Sequence, residues 1–167
     1  MKLSAGILLY EKLPNNHLKV FLTSPGGPFN ANIEFGIWTI PKGEINYREN
    51  IIDSAVREFK EETGIYLPKY AEFINLGKIQ LKSSKIVHIF AVENKGYIND
   101  NYKIKSNTFD LEYPKGSGKY IKCPEMEDGK FFDLYEVDQR INNTYFIFVD
   151  RLYQAVFQNE SFENIAV

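Results

Sequence analysis

The stretch GEINYRENIIDSAVREFKEETGI, residues 43–65, decides the fold of this chain. Gly43 is followed after five residues by Glu49, after seven more by Arg57-Glu58, and then by Glu61-Glu62 and Gly64. Apolar Phe59 and Ile65 complete the pattern. From about Glu49 to Glu62 there is no Pro or Gly, and Ile52, Ala55, Val56 and Phe59 recur at i, i+3, i+4 and i+7. That spacing predicts a helix with one apolar stripe. Glu58, Glu61 and Glu62 recur at i, i+3 and i+4, which gathers them on an adjoining face. Like charges at this spacing cost an isolated helix about 0.2–0.5 kcal/mol per pair. A cation held between them reverses the sign. Carboxylate oxygens are hard ligands, so the expected ion is Mg²⁺ or Mn²⁺ and not zinc. Mg²⁺ shares its octahedron between a few carboxylates, water and phosphate oxygens, which suits a polyphosphate substrate.

An acidic pair alone reads as a solvated helix face, and Arg57 with Glu61 alone reads as an i,i+4 surface pair worth about 0.3–0.5 kcal/mol. Neither reading accounts for Gly43, Glu49 and Gly64 standing at their distances. Seven fixed identities at average residue frequencies match by chance at about one in 10⁸ start positions. Gly64 follows the last acidic residue and fits the left-handed position that ends a helix. Gly43 opens the loop before the helix, where a backbone without Cβ can bring its carbonyl close to a metal.

The stretch matches G-x5-E-x7-R-E-U-x-E-E-x-G-U, with U apolar, at every position, and so resembles the Nudix box. The resemblance implies a hydrolase that cleaves a pyrophosphate bond in a nucleoside diphosphate linked to another group, using a divalent metal. It implies an α/β fold, a Nudix-type α/β/α sandwich with a mixed central sheet, over residues 1–167 as one domain. In the resembled family the carbonyl matching Gly43 is often a metal ligand, and the glutamates matching Glu58, Glu61 and Glu62 hold the ions. The arginine matching Arg57 orients a glutamate, here Glu49 or Glu61. Glu61 is the expected general base. Some relatives recruit an acid from a later loop, for which Glu112 in FDLEYP and Glu125 or Glu127 in PEMEDG are candidates. Beyond the box, SAGILLY, SPGGPF, FGIWTIPKGE and FDLEYPKGSG are similar to a bacterial subgroup of Nudix nucleotide pyrophosphohydrolases.

A chain of 167 residues is one domain by length, and 44% hydrophobic with 25% charged residues is a globular composition. The formal net charge of -2 supplies no basic field for nucleic acid, which leaves a capped end as the nucleic-acid partner still open. Cys123 is alone, so there is neither a disulfide framework nor a cysteine zinc site. His17 and His88 are too few and too distant in sequence for a zinc centre, and His88, in the strand-like IVHIFAV, reads as a hydrogen-bonded structural residue. The N-terminal MKLSAGILLYEK is too short in its apolar run for a signal or membrane segment. It reads as a first strand, and the expected location is cytoplasmic with no membrane partner. No residue pattern assigns an oligomeric state.

Strands are expected at Ser4–Tyr10, Leu18–Thr23, Gly36–Ile40, Phe73–Leu76, Lys78–Leu81, Ile86–Val92 and Lys130–Leu134. A C-terminal helix is expected over Tyr145–Gln158, with Phe148, Leu152 and Val156 on one side. Asn94–Gly129 is polar and glycine-punctuated and reads as a long functional loop.

The substrate is expected to be a small nucleotide or polyphosphate. Lys42 gives PKGE where many relatives acting on nucleoside triphosphates carry Pro-Gly-Gly; Lys-Gly is common in relatives acting on dinucleoside polyphosphates and diphosphoinositol polyphosphates. An ammonium beside the metal site can pair with an additional phosphate. Lys78, Lys82, Lys85, Lys103 and Lys105 are candidates for a phosphate-facing rim. Phe29, Phe35, Tyr47, Tyr113 and Tyr145 are candidates for a base-stacking aromatic. Three readings stand. The first is cleavage of dinucleoside polyphosphates such as diadenosine tetraphosphate. The second is the same mechanism on nucleoside triphosphates, nucleotide sugars or capped RNA ends. The third is a non-catalytic nucleotide sensor, which has no need of three metal-holding carboxylates.

Overall fold

The computed structural model describes residues 2–30 and 33–162. Strands β1 (Leu3–Leu13) and β2 (His17–Pro25) open the chain, followed by a short β3 (Lys42–Glu44) and helix α1 (Ile51–Thr63). Strands β4 (Ile74–Gln80), β5 (Ile86–Glu93), β6 (Thr108–Glu112), β7 (Tyr120–Pro124) and β8 (Met126–Asp133) follow. Helix α2 (Leu134–Arg140), a 3-10 turn (Asn143–Tyr145) and α3 (Phe146–Phe157) close the described chain.

The main sheet runs β4-β5-β1-β2-β8, with β1 parallel to β5 and the other neighbours antiparallel. Strand β1 changes partner along its length. Ser4–Gly6 pair with β3, whereas Tyr10–Leu13 pair with β2. The sheet is therefore split between β2 and β3. Alternation along β1 sends Ala5, Ile7 and Leu9 to one face and Leu8 and Tyr10 to the other. The first set packs with Ala55 and Phe59 of α1. The second packs with Trp38, Ile40, and Phe148 and Leu152 of α3. Both faces of the mixed sheet are thus covered by helix, which is the expected α/β/α sandwich. Among the described residues, no helix is long and apolar enough to cross a membrane.

Several expected elements differ. Gly36–Ile40 is not a strand. Its main chain makes isolated bridges, Thr39 with Thr23 and Trp38 with Ile141, because successive residues bond to different neighbours. Phe73–Leu76 and Lys78–Leu81 are one strand with a bulge between Asn75 and Lys78, not two. The expected loop Asn94–Gly129 contains the separate two-stranded β6–β7 sheet and the start of β8. Helix α2 was not anticipated, although Asp133 caps it by accepting from the Tyr135 N–H at 3.1 Å. His88 lies 2.6 Å from Asn75 Oδ1 and stacks on Phe90, in keeping with a structural role.

Candidate active site

Helix α1 begins at Ile51, two residues after Glu49. Asn50 is the cap, its side chain accepting from the Ile52 N–H at 2.9 Å. Gly64 ends it at φ 76°, its N–H donating to the Lys60 carbonyl at 2.7 Å, as the left-handed terminator predicts. Ala55 and Phe59 are fully buried against the sheet. Burying that stripe orients the neighbouring face, with Arg57, Glu58, Glu61 and Glu62, toward the split in the sheet.

Arg57 organises the acidic face. Its Nε and one terminal nitrogen grip both oxygens of Glu49 at 2.8 and 2.9 Å, a bidentate pair. The other terminal nitrogen bridges Glu58 Oε1 at 2.6 Å and Glu61 Oε2 at 3.2 Å. Further donations reach the Glu44 carbonyl at 3.0 Å and Ser54 Oγ at 3.2 Å. The sequence left Glu49 or Glu61 as the partner of Arg57; the structure pairs it with both, and most closely with Glu49. The Glu49 carboxyl is held down to about 2, first by its hydrogen bonds from Arg57 and then by the Asn46 N–H. The guanidinium is raised in turn, mainly by Glu49.

Gly43 meets this face from β3. A Cβ at this position would overlap the Glu58 carboxylate. The main chain at residue 43 lies directly against the Glu58 carboxylate, which would have to swing aside to admit a side chain here. Next to it, the Lys42 N–H donates to Glu62 Oε2 at 2.9 Å. Glu62 is buried, with 7% of its surface exposed, whereas the Glu61 side chain is 37% exposed. Burial raises the carboxyls of both Glu58 and Glu62, and the charge of Glu125 pushes each further up. The loop carrying Glu125 is pinned by main-chain bonds. Its N–H donates to the Asn107 carbonyl at 2.8 Å, and its carbonyl accepts from Gly26 at 3.0 Å. Asn107 in turn donates to the Glu61 carbonyl at 2.9 Å.

Among the described residues, no three or more His, Cys, Asp or Glu side chains close into a preformed metal cage. The donor chemistry nevertheless fits a hard divalent cation. Glu62 is a buried carboxylate and Glu58 a half-buried one, both crowded by a third acid, with raised pKa values that a bound cation would bring down. The arginine bridge between Glu58 and Glu61 shows the same appetite for positive charge. Oxygen-only donors, few in number, are the set that Mg²⁺ completes with water.

The other candidates separate in space. Glu112 ends β6, and its carboxylate accepts from the Gly118 N–H at 2.8 Å in its own hairpin turn. Glu127 lines a cleft of about 490 Å³ beside Gly27, Asn30, Trp38 and Lys122. Lys42 does not reach into the open: its Nζ donates to Thr39 Oγ1 at 3.1 Å and lies 4.7 Å from the Tyr145 ring centre. Burial lowers its pKa. Of the lysine rim, Lys85 lies 3.8 Å from Glu44. Phe29 meets Tyr113 edge-on at 5.9 Å, Phe35 lies under Arg140, and Tyr47 under Arg48. Trp38, which lines the cleft, was missed; its signal was FGIW, a large aromatic just before the box in a segment without regular pairing.

Residues 3–113 match the family model of the NUDIX domain. No curated protein matches the sequence. Among solved structures, an Ap4A hydrolase from C. elegans, in a binary complex, superposes with a TM-score of 0.61 at 18% identity, covering 93% of this chain and 98% of that one. A mutT/nudix family protein from Listeria innocua gives a TM-score of 0.59 at 15% identity, covering 95% of each chain. The NUDIX domain of NrtR from Shewanella oneidensis, complexed with ADP ribose, gives 0.55 at 15% identity, covering 92% of this chain and 87% of that one. With the box complete, Glu58 set against Gly43 and most of the length matched, this chain belongs to the Nudix family of pyrophosphohydrolases.

Proposed function

We propose that this protein hydrolyses a phosphoanhydride bond in a nucleoside diphosphate-X substrate with Mg²⁺ or Mn²⁺, and that its favoured substrate is a dinucleoside polyphosphate such as diadenosine tetraphosphate. The observation that carries the reaction is the placing of Glu58 against the main chain at Gly43 and of Glu62 on the Lys42 N–H, with Arg57 bridging Glu58 and Glu61. The Gly43 carbonyl and the three carboxylates are the groups that would hold the cation. When bound, a divalent cation neutralises phosphate charge and acidifies a coordinated water.

Glu61 is the most exposed of the three and accepts the proton of the attacking water. Arg57, anchored by Glu49, keeps the Glu58 and Glu61 carboxylates in place through hydrogen bonds. Glu125 is the later acid beside the cluster. Glu112 is engaged in its own turn and takes no part in this proposal.

The length of the phosphate chain is argued from Lys42. Its ammonium has three donors, and Thr39 Oγ1 uses one of them. A buried ammonium lowered in pKa by desolvation gains from an anion placed beside it. An additional phosphate of the substrate would be that anion.

The test is product analysis with Mg²⁺ on diadenosine tetraphosphate, nucleoside triphosphates, ADP-ribose and a diphosphoinositol phosphate. The expected result is ATP and AMP from diadenosine tetraphosphate as the preferred reaction. Turnover of another member in preference overturns the substrate assignment. No turnover of any, with the metal shown to bind, overturns the reaction.

A further inference from the structure

Next to the cleft of about 490 Å³ lies a second cavity of about 320 Å³. The two adjoin through Ile33, Glu34 and Trp38, which line both. Gly26, between Pro25 and Gly27 of the first cleft's wall, donates its N–H to the carbonyl of Glu125, whose charge acts on Glu58 and Glu62. The second cavity is lined in addition by Lys130, Phe132, Glu136 and Arg140.

Its walls form a ladder of cations and rings. Lys130 Nζ lies 4.7 Å from the Trp38 ring centre and 5.7 Å from that of Phe132. The Arg140 guanidinium lies 4.8 Å from the Phe35 ring centre and 6.0 Å from that of Phe132. Glu34 approaches Arg140 at 3.4 Å, and Asp128 approaches Lys130 at 3.7 Å. None of these residues belongs to the acidic cluster, so the reaction does not explain why two cations are stacked here on aromatic rings.

We propose that this second cavity receives the second nucleoside of a dinucleoside polyphosphate, its base stacked on the Arg140 guanidinium with its polar edge toward Glu34. The inference rests on the substrate assignment above. A guanidinium is planar and stacks on flat π systems, and here its other contacts are rings already. Both cations already carry a carboxylate neighbour, so a bare phosphate would have to compete with Glu34 and Asp128. A base makes use of Glu34 instead, as an acceptor for an exocyclic amine. The cavity is at the small end of the range for small-molecule sites, about 300–1,000 Å³. That size suits one nucleoside and not a polypeptide. Two adjoining cavities that share Ile33, Glu34 and Trp38 match a substrate whose two bases are brought together by a phosphate chain looping back on itself.

Trp38 is the only tryptophan of the chain and lines both cavities, so its fluorescence reports occupancy without any turnover. The experiment titrates the protein, with divalent metal chelated, with diadenosine tetraphosphate and with adenosine 5′-tetraphosphate. The two carry the same phosphate number and differ by one nucleoside. The expected result is about ten-fold tighter binding of the dinucleotide, with that preference lost in Arg140→Ala and reduced in Glu34→Gln. Glu34 is 70% exposed on its side chain, so the second variant tests the site even where the first fails to fold. Equal affinities in the unaltered protein, or a preference that survives both substitutions, overturns the proposal. Hydrolysis separates it from the substrate assignment. A dinucleotide that binds preferentially but is not cleaved with Mg²⁺ sinks that assignment and leaves this site standing. A dinucleotide that is cleaved with KM unmoved by Glu34→Gln and Arg140→Ala sinks this site alone.

Discussion

Replacing Gly43 with Ala tests the geometry of the site more sharply than removing a carboxylate. The added Cβ would fall within the Glu58 carboxylate. The backbone itself offers no objection, since Gly43 pairs with Ala5 in an ordinary antiparallel register. The carboxylate is the far end of a flexible side chain and must swing away. It then gives up its 2.6 Å bond from Arg57, while Arg57 keeps its bidentate grip on Glu49. A hydrogen bond to a charged group contributes about 1.5–3 kcal/mol. Arg57 retains Glu61 as a partner on the same nitrogen, so the net loss should be nearer about 1 kcal/mol. For a domain of this size that lowers Tm by about 2–4 °C. Catalysis should suffer far more, because displacing a positioned group by about 1 Å can cost about 10²-fold. The assay is kcat and its Mg²⁺ dependence on the best substrate of the panel, beside a thermal melt and direct Mn²⁺ binding by electron paramagnetic resonance. The expected variant is folded, binds metal more weakly and has lost about 10²-fold in kcat/KM. Full activity with unaltered metal affinity would refute the placing of Glu58 against residue 43 as part of the site. Wholesale unfolding would refute the claim that the clash is confined to one side chain.

Glu61→Gln should lower kcat by orders of magnitude while leaving the thermal melt in place; an unchanged kcat removes Glu61 as the base. Lys42→Ala should weaken hydrolysis of longer phosphate chains more than shorter ones, and equal losses across chain lengths would remove the reason for assigning it an additional phosphate. Glu49→Gln should destabilise the fold through Arg57. The depression of Glu49 from 4.5 to about 2 bounds the effect at about 3 kcal/mol, which solvent screening of a partly exposed pair reduces to about 1 kcal/mol. Because the folded pKa is depressed, this stabilisation is fully present above about pH 4.5 and is lost as pH falls toward about 2. Urea midpoints measured from pH 6 down to pH 2 should therefore converge for the variant and the unaltered protein at the acid end, and a constant gap would contradict the pairing.

What was legible in the sequence is what local chemistry determines. The helix, its glycine terminator and its acidic face follow from spacing within residues 43–65, and the structure assembles them in place. The strands of β1, β2 and β5 were readable because burial on their faces leaves long apolar runs. The remainder depends on where distant segments meet. Three later glutamates looked alike in sequence. Glu112 has its own turn to hold, Glu127 faces the cleft, and Glu125 alone of the three adds its charge to Glu58 and Glu62. What distinguishes it is main-chain bonding of its loop to Asn107 and Gly26, which no side-chain pattern encodes. Lys42 is expected beside the metal site, its ammonium toward an additional phosphate. Its ammonium lies over the ring of Tyr145 from the far end of the chain while Glu62 and Glu58 act on its charge, so its surroundings are set by segments distant in sequence. Both outcomes trace to one feature of the sheet. Because β1 exchanges β3 for β2 along its length, residues 39–42 cross a split between strands. The Lys42 main chain there bonds to Glu62 of the acidic helix while its ammonium bonds Thr39 and lies over the Tyr145 ring. A substrate bound at the acidic face and an event at Tyr145 are therefore joined through a single residue, and Tyr145→Phe and Tyr145→Ala should differ. The ring alone stacks on the ammonium, so Phe should retain the Lys42 effect on phosphate-chain length that Ala abolishes; if the two behave alike, the ring does not hold Lys42 in position.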